Sequence, residues 1–286
     1  MAQIKILGIS RATQYSPHSE DRDAAIFAAV ASRLSRFADV SIISEDLFIA
    51  VDLSEFDLVF SMARGRDVLE SLSQAEKENG LIVINSATHL LGMSRAHIAE
   101  VLKANNAAIP PIAIVTPHPD ATPQIDYPFW VKRADACAQG KDDVSLIKDE
   151  VAYQESIHYF LSNHIDCIIE EAHTEGDLVK FYGVEGTSFF HLSYPTDSNG
   201  FSKFGLEMQN GEAKHYAFDE NALKSEADKA ASLTGITIYG GDAIIKPNGQ
   251  FCIIDFNDWP SFSPCRKEAA KAIGNRIKQI CQQIEK

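Results

Sequence analysis

Residues 251–264, FCIIDFNDWPSFSP, change character halfway along. The first half is apolar, β-branched and aromatic, which is typical of a buried strand. Asp255 and Asn257 then follow at a spacing of two, and alternate residues of a strand point to the same face. Burying two oxygen-bearing side chains together is costly unless something satisfies them. The pair is therefore either the polar end of a strand or part of a binding site.

A predicted hairpin brings a third polar side chain to this pair. The Asn-Gly dipeptide at 248–249 is a strong signal for a two-residue turn. In that register Pro247 faces Gln250, and Asp242 lies directly opposite Asp255. A four-residue loop, which the missing N–H of proline favours, gives the same pairing.

Two carboxylates placed directly opposite each other destabilise a sheet, because their Cβ atoms are only ~5 Å apart. Asp242, Asp255 and Asn257 would together suit a hard divalent cation, and Mg²⁺ accepts such oxygens while keeping positions for water and phosphate. Without a cation, we expect at least one of the two carboxylates to have a pKa above its ordinary value. The competing interpretation is a bend after residues 240–241 followed by an ordinary strand end. The cross-strand pairing favours the metal.

Strands and helices alternate in the first part of the chain. IKILGI, DVSIIS, FDLVFSM and LIVIN are predicted strands, and helices are predicted from about Glu20 to Phe37 and over 66–78. This alternation is typical of a parallel sheet covered by helices. GISRATQ, after the first strand, is neither a dinucleotide fingerprint nor a P-loop. The Pro-rich run PIAIVTPHPDATPQIDYP is interpreted as a subdomain boundary.

Beyond the boundary, FWVKRA and DVSLI are predicted strands on either side of a polar loop, Asp135–Asp143. A helix over about 149–162 and the strand IDCIIEEA follow. After residue 176 the pattern becomes antiparallel, with DLVKFYGV and TSFFHLSY joined by a Glu-Gly turn. A last helix is predicted over 266–284.

Composition excludes several classes of protein. The chain has 286 residues, 45% of them hydrophobic, which suffices for two or three packed units and argues against disorder. A net charge of −14 without a basic stripe argues against a nucleic-acid partner. No leader peptide or membrane-spanning helix is predicted. Five cysteines without C-x-x-C spacing indicate reduced thiols in a cytoplasmic protein.

The segment GGDAIIKPNGQFCIIDFNDWPSF resembles the closing pattern of the ATP-grasp superfamily. That pattern is an acidic residue, a hairpin, and a strand that ends D-x-N-x-x-P. The resemblance covers residues 84–264. It is greatest to the glutathione-synthetase, ribosomal-protein glutamate-ligase and inositol-polyphosphate kinase branches. It implies that Asp242, Asp255 and Asn257 hold Mg²⁺, with Mn²⁺ as an alternative, on the phosphates of ATP.

Upstream segments occur in the order that the resemblance implies. FWVKRA supplies Lys132 at the position of the phosphate-binding lysine, and Lys180 occupies the position that reaches a phosphate or an acyl phosphate. INSATHLLGMSRAHIAEVL is similar to the N-x-P … D-K segment, with Ser94 and Arg95 in place of Asp-Lys. Arg95 can bind phosphate bidentately. Lys180 and Arg95 are the predicted catalytic residues.

IIEEAHTEGDLVKFYGV is similar to the hinge segment that meets the adenine. Glu170 and Glu171 are consecutive and face opposite sides of the strand, so one of them would accept from the adenine amino group. The backbone around Ala172 and His173 would bond the ring edge, and Asp177 would lie near the ribose. The predicted nucleotide-binding residues are Lys132, Glu170, Glu171, Ala172, His173, Asp177 and Lys180. The loop Asp135–Asp143 departs from the glycine-rich lid loop usual in the family.

The predicted fold is α/β, with a Rossmann-like parallel-sheet domain (1–88), a linking helix (89–109), a lid subdomain (110–173) and a C-terminal subdomain (174–286). The last two form a two-part ATP-grasp module with ATP between them. Ser10, Arg11 and Arg64, at the carboxyl ends of the first strands, are candidate substrate contacts.

The resemblance implies an ATP- and Mg²⁺-dependent carboxylate–amine or carboxylate–thiol ligase that forms an acyl phosphate. Its substrates would be a small-molecule carboxylate and an amine, without nucleic acid or membrane, and a homodimer is left open. The alternatives are an ATP-dependent kinase of a small polyol or sugar, and a non-catalytic ATP-binding protein.

Overall fold

The computed structural model describes residues 3–16, 19–136, 140–197 and 211–284, and its strands form three four-stranded sheets. The strands are β1 (Lys5–Ser10), β2 (Asp39–Ser44), β3 (Leu58–Ser61), β4 (Ile82–Ile84), β5 (Ile112–Val115), β6 (Phe129–Arg133), β7 (Val144–Ile147), β8 (Ile168–Ala172), β9 (Asp177–Val184), β10 (Phe190–Ser193), β11 (Ile238–Ile245) and β12 (Phe251–Asp258). The helices are α1 (Glu20–Leu34), α2 (Arg66–Asn79), α3 (Ala87–Leu90), α4 (Arg95–Ala104), α5 (Glu150–Ser162), α6 (Glu220–Thr234) and α7 (Arg266–Ile284). Cys137 and the next two residues of the predicted loop Asp135–Asp143 lie outside the described residues.

The first sheet has the order β2-β1-β3-β4, and its strands pair in parallel. The prediction of an N-terminal parallel sheet is therefore confirmed. The carboxyl ends of β1 and β3 lead directly into the loops that carry Arg11 and Arg64. Those two loops lie side by side because the two strands are neighbours in the sheet.

The second sheet has the order β5-β8-β6-β7 and the third has the order β10-β9-β11-β12, and both are antiparallel. The predicted onset of antiparallel structure after residue 176 is wrong, because pairing of this kind begins at β5. That strand lies inside the Pro-rich run interpreted as a boundary. Its four residues follow two prolines and form an edge of the sheet, where proline is tolerated.

The β11–β12 hairpin differs from the predicted register at its turn. Lys246 N–H donates to the Gln250 carbonyl at 2.8 Å, and Gly249 N–H donates to the Lys246 carbonyl at 2.9 Å. The loop therefore has three residues, and its third, Gly249, has a left-handed φ of 81° that favours glycine. The predicted pairing of Pro247 with Gln250 is wrong by one residue.

A β-bulge restores the predicted pairing further along the hairpin. The register passes from Ala243↔Ile253 to Asp242↔Asp255, so Ile254 is the extra residue of β12. Ile253 and Phe256 both pack into the core beneath the sheet, while Ile254 lies in a cluster on the other face. The bulge thereby places Asp255 opposite Asp242, as predicted.

Gly241 allows the aromatic side chains beside the bulge to approach. It pairs with Phe181 of β9 on one side and with Phe256 of β12 on the other. A Cβ atom at this glycine would lie 2.4 Å from Cζ of Phe181 and 2.3 Å from the Asp255 carbonyl oxygen. The double glycine before Asp242 thus lets the core close tightly under the acid.

The C-terminal helix completes the core of the N-terminal sheet. Ile273 and Ile277 of α7 lie in one buried cluster with Val30 and Leu34 of α1. The strands of the three sheets fall within the ranges predicted for the domains, whereas α7 packs outside its own range. The division into domains stays a prediction.

Among the described helices, none combines the length and apolar character needed to cross a membrane. The four described cysteines, Cys167, Cys252, Cys265 and Cys281, have free thiols.

Asn85 joins the N-terminal sheet to the third sheet. Its side chain is fully buried and makes a two-way bridge to the backbone of Ile238. Nδ2 donates to the carbonyl at 2.9 Å, and Oδ1 accepts from the N–H at 2.7 Å. The bridge fixes the start of β11, which leads four residues later to Asp242.

We expect Asn85→Ala to lower the free energy of unfolding by roughly 1–3 kcal/mol, because the buried Ile238 N–H would lose its acceptor, whereas the Ile238 carbonyl keeps Trp259 N–H as a donor at 3.0 Å. Urea unfolding followed by circular dichroism measures the change. Asn79→Ala, at an exposed helix end, is the control. A loss no larger than that of the control would show that the bridge contributes little.

Candidate functional site

A cavity of about 1050 Å³ lies between the second and third sheets and extends to the loops of the first. Its walls carry both charged and apolar side chains. A volume of this size is sufficient for a small-molecule ligand.

Three charged residues form a row across one wall of the cavity. Lys180, Asp242 and Asp255 are cross-strand neighbours on β9, β11 and β12. Lys180 Nζ lies 3.1 Å from Oδ1 and 3.3 Å from Oδ2 of Asp242. Strand pairing therefore fixes the order of the row, with the lysine at one end and the two aspartates beside it. The predicted position of Asp242 opposite Asp255 is confirmed.

Asp255 is surrounded by donors and cations. Asn257 Nδ2 donates to its Oδ2 at 3.0 Å, and Arg95 Nε lies 3.7 Å from its Oδ1. Arg95 is held in place because its Nη1 also donates to the Arg133 carbonyl at 2.7 Å. The first residue of α4 thus reaches the acid from the opposite side of the cavity.

A raised pKa is expected for at least one of the two carboxylates, and Asp255 is not that one. Burial would raise its pKa, but the charges of Arg95, Lys132 and Lys180 and the hydrogen bond from Asn257 outweigh burial, so the pKa is lowered. The cations come from three separate elements, and hairpin pairing alone does not reveal them.

Lys132 connects the two antiparallel sheets. Its Nζ lies 2.7 Å from Oε1 of Glu171 and donates to the Ile254 carbonyl at 2.9 Å. Ile254 is the extra residue of the bulge, and a bulge leaves such a residue outside the ladder. Burial raises the pKa of Glu171, and the charge of Lys132 offsets this only in part. Lys132 and Glu171 both line the cavity.

The predicted opposite orientation of the two consecutive glutamates is confirmed. Glu170 is fully buried in the second sheet, where it accepts from the Tyr153 hydroxyl at 2.7 Å and from Gln124 N–H at 2.6 Å. Burial and the hydrogen bond to Glu170 raise the pKa of Tyr153. Glu171 therefore faces the cavity, and Glu170 supports the packing of α5.

The other two predicted hinge residues also differ in position, because Ala172 lines the cavity and His173 does not. The N–H of Ala172 donates to the Pro111 carbonyl at 2.9 Å. His173 accepts from Trp130 Nε1 at 3.1 Å, and its own N–H donates to the Pro128 carbonyl. These N–H groups serve the protein backbone and not a ligand.

Asp177 is buried and accepts from the N–H groups of Lys214 and Tyr216 at 2.7 and 2.8 Å. It fixes the segment that leads into α6. Of the described residues predicted to bind nucleotide, Glu170, His173 and Asp177 do not line the cavity.

Apolar side chains cover two facing walls beside the charged row. Leu178, Ile244 and Ile254 project from the third sheet, and Ile112 and Ile169 project from the second. We call these facing apolar walls the apolar slot, and small-molecule pockets are lined mainly by side chains of this kind. The sequence reasoning did not identify these residues, because such apolar residues resemble ordinary core positions.

Two of the three candidate substrate contacts reach the cavity. Arg11 and Arg64 line its N-terminal end, together with Asp258, which was not predicted. The Ser10 hydroxyl instead donates to the Ile43 carbonyl at 3.5 Å.

The oxygen donors fit Mg²⁺ better than zinc. Asp242, Asp255 and Asn257 offer two carboxylates and one amide, which are ligands of hard cations. Within the described parts of the chain, no cluster of three or more His, Cys, Asp or Glu residues could hold a metal. The acids also lie beside cations suited to phosphate, so the donor set fits a cation that arrives with a phosphate compound.

Solved structures share this architecture. D-alanine–D-alanine ligase from Bacillus anthracis, complexed with ATP, superimposes with a TM-score of 0.66 at 10% identity over 98% of this chain and 97% of that one. D-alanine–D-alanine ligase from Coxiella burnetii gives a TM-score of 0.62 at 12% identity over 100% and 98%. An ATP-grasp RimK domain protein from Sphaerobacter thermophilus DSM 20745 gives 0.62 at 14% identity over 95% and 98%. No protein-family model matches the sequence, and the search of curated proteins found no match.

We expect Asp255→Asn to lower the free energy of unfolding by about 1 kcal/mol or more at pH 7, because three cations lose a charged neighbour. A lowered folded-state pKa contributes stability above the unfolded-state value of ~4, and this stability is lost as pH falls through the folded-state pKa. The difference between wild type and variant should therefore be constant from pH 7 to about pH 5 and shrink below that.

Urea unfolding at a series of pH values measures this difference, with Asp126→Asn at an exposed position as the control. A variant as stable as wild type at pH 7 would indicate that repulsion from Asp242 dominates at Asp255.

Proposed function

The chain has an ATP-grasp fold, and on that premise we propose that the protein is an ATP- and Mg²⁺-dependent ligase that activates a small-molecule carboxylate. The observation that carries the proposal is the row of Lys180, Asp242 and Asp255, with Lys132 and Arg95 beside it on the cavity wall. A ligand with several negative charges and an accompanying cation satisfies this arrangement.

The nucleotide would bind with its base in the apolar slot and its phosphates along the charged row. Leu178 and Ile244 would contact one face of the base, and Ile169 would contact the other. Glu171 and Ala172 line the adjoining wall and would meet the ring edge. Glu170, His173 and Asp177 would act indirectly, by holding the elements that form the slot.

Each cation of the site is paired with an acid in the protein alone. Lys180 is paired with Asp242, Lys132 with Glu171, and Arg95 lies near Asp255. On nucleotide binding, the acids of the row would turn to the cation and the lysines to phosphate oxygens. Asp242 and Asp255 would then be balanced by the cation and Lys180 by phosphate, so the charged row stays balanced in both states.

Asp242, Asp255 and Asn257 would hold Mg²⁺, which when bound neutralises charge on the phosphates. Lys132, Lys180 and Arg95 would fix the terminal phosphate and stabilise negative charge on its oxygens. The protein's contribution to the reaction is positioning and electrostatics rather than covalent chemistry.

The reaction would proceed by two displacements. A substrate carboxylate oxygen attacks the γ-phosphorus of ATP and ADP leaves, which gives an acyl phosphate. An amine then attacks the acyl carbon, inorganic phosphate leaves, and the amine gives up a proton to solvent as the amide forms. A thiol nucleophile would give a thioester by the same route.

We expect Lys132→Met and Lys180→Met each to weaken ATP binding by about 10-fold or more, since a hydrogen bond between charged groups is lost. AMP, which lacks the outer phosphates, should lose much less affinity. Isothermal titration calorimetry with and without Mg²⁺ measures both. Lys271→Met, at an exposed position of α7, is the matched control. Equal losses for ATP and AMP would argue against phosphate contacts.

Product analysis tests the reaction class. Incubation of the wild-type protein with ATP, Mg²⁺ and mixtures of small carboxylic acids and amines should release ADP and inorganic phosphate together with an amide. Asp255→Asn should reduce this turnover at least about 100-fold, because a metal ligand is lost. Transfer of the phosphate to a hydroxyl group would identify a kinase, and ATP binding without turnover of any tested pair would contradict the ligase.

A further inference from the structure

Four charged side chains meet where the cavity reaches the N-terminal sheet. Arg64 Nη2 lies 2.5 Å from Oδ1 of Asp258, and Arg11 Nη2 lies 3.8 Å from Oδ2 of the same residue. Arg11 Nη1 also lies 2.9 Å from Oδ2 of Asp23. Two arginines and two aspartates thus balance one another at this end of the cavity.

Within this group of four charged side chains, Arg11 holds neighbouring loops together. Its side chain is only 7% exposed, and it donates from Nε to the Met62 carbonyl at 3.1 Å and from Nη2 to the Trp259 carbonyl at 3.2 Å. Burial lowers its pKa, as does the nearby charge of Arg64. These bonds tie the loop after β1 to the loop after β3 and to the end of β12.

The side chain of Arg64 lines the cavity. This side chain is 26% exposed, whereas that of its partner Asp258 is 12% exposed, so Arg64 is the more accessible member of the pair. Its backbone is held rigidly, since the buried carboxylate of Glu45 accepts from the N–H groups of Arg64 and Gly65. Glu45 also accepts from Ala12 N–H at 2.8 Å, which fixes the neighbouring loop.

Arg64 binds Asp258 at the far end of β12 and is therefore distant from the proposed phosphate site. Its partner Asp258 is three residues beyond Asp255, which corresponds to about 10 Å of extended strand. The proposed phosphate site already has three cations around Asp255, namely Arg95, Lys132 and Lys180. A ligand that occupies both regions would therefore carry one anionic group at the charged row and another at Arg64.

We propose that Arg64 recognises a second carboxylate of the acid substrate, distinct from the carboxylate that reacts. This inference rests on the proposed ligase function and narrows its substrate to acids with two carboxylates. The guanidinium fork of arginine fits a carboxylate, and Arg64 already binds the Asp258 carboxylate through Nη2. A singly charged carboxylate suits the position better than a phosphate, because Asp258 and Asp23 would repel the greater charge.

Matched pairs of ligands test the proposal. Calorimetry would compare glutamate with glutamine, aspartate with asparagine, succinate with butyrate, and glutarate with valerate. Each titration would use protein saturated with the non-hydrolysable analogue AMPPNP and Mg²⁺. We expect the dicarboxylate of at least one pair to bind about 10- to 100-fold more tightly, as expected for hydrogen bonds between charged groups.

Arg64→Gln should abolish this preference, whereas Arg66→Gln should keep it. Arg66 is two residues away on the same loop and helix start, with 83% of its side chain exposed, so it controls for the loss of a positive charge nearby. If Arg64→Gln does not fold, Arg64→Lys keeps the charge but loses the fork, and the preference should fall about 10-fold.

Binding of AMPPNP alone, measured first, separates the two proposals. Its absence in wild type would contradict the proposed function. Normal AMPPNP binding with no preference for any dicarboxylate, or with a preference that survives in Arg64→Gln, would overturn only the role of Arg64.

Discussion

One extra residue in a strand determines which side chains reach the cavity between the second and third sheets. Side chains of a strand alternate between two faces, and the bulge at Ile254 reverses this alternation. As a result Ile253 and Phe256 both pack into the core, and Asp255 and Asn257 turn to the cavity. Without the bulge, the apolar and polar halves of this strand could not both be satisfied. The carbonyl of the extra residue then accepts from Lys132, which joins the two sheets that enclose the cavity.

The second organising feature is the pairing of charges across elements that are distant in sequence. The row of Lys180, Asp242 and Asp255 comes from three strands, Arg95 from a helix and Lys132 from another sheet. Each acid is stabilised by a cation, which explains why Asp255 has a lowered pKa although it faces another carboxylate. The acids and cations on the cavity wall therefore compensate one another within the protein itself.

Much of the fold and part of the site could be predicted from local sequence patterns. The parallel first sheet follows from the alternation of apolar strands with amphipathic helices, and the opposition of Asp242 and Asp255 follows from the hairpin. The predicted register of the β11–β12 hairpin is wrong at the turn but right at Asp242 and Asp255. The three-residue loop shifts the pairing by one residue, and the bulge shifts it back. Strand β5 was missed since its four residues are flanked by prolines that usually mark a loop.

Features that depend on distant contacts could not be predicted. Glu170 and Glu171 are adjacent and chemically identical, and only the packing of Tyr153 against one of them distinguishes their roles. The role of Asp258 could not be predicted either, because its two arginine partners lie about 190 and 250 residues earlier in the chain.

The position of α7 affects how the protein is made. Translation produces β1 and α1 first, but the apolar side chains of Val30 and Leu34 acquire their neighbours Ile273 and Ile277 only after nearly the whole chain has been synthesised. Helix α1 covers part of one face of the N-terminal sheet from the start, since Phe27 stacks on Phe60, but the part that meets α7 stays exposed until the end of synthesis. A fragment cut at the end of that sheet would keep the exposed face and would tend to aggregate.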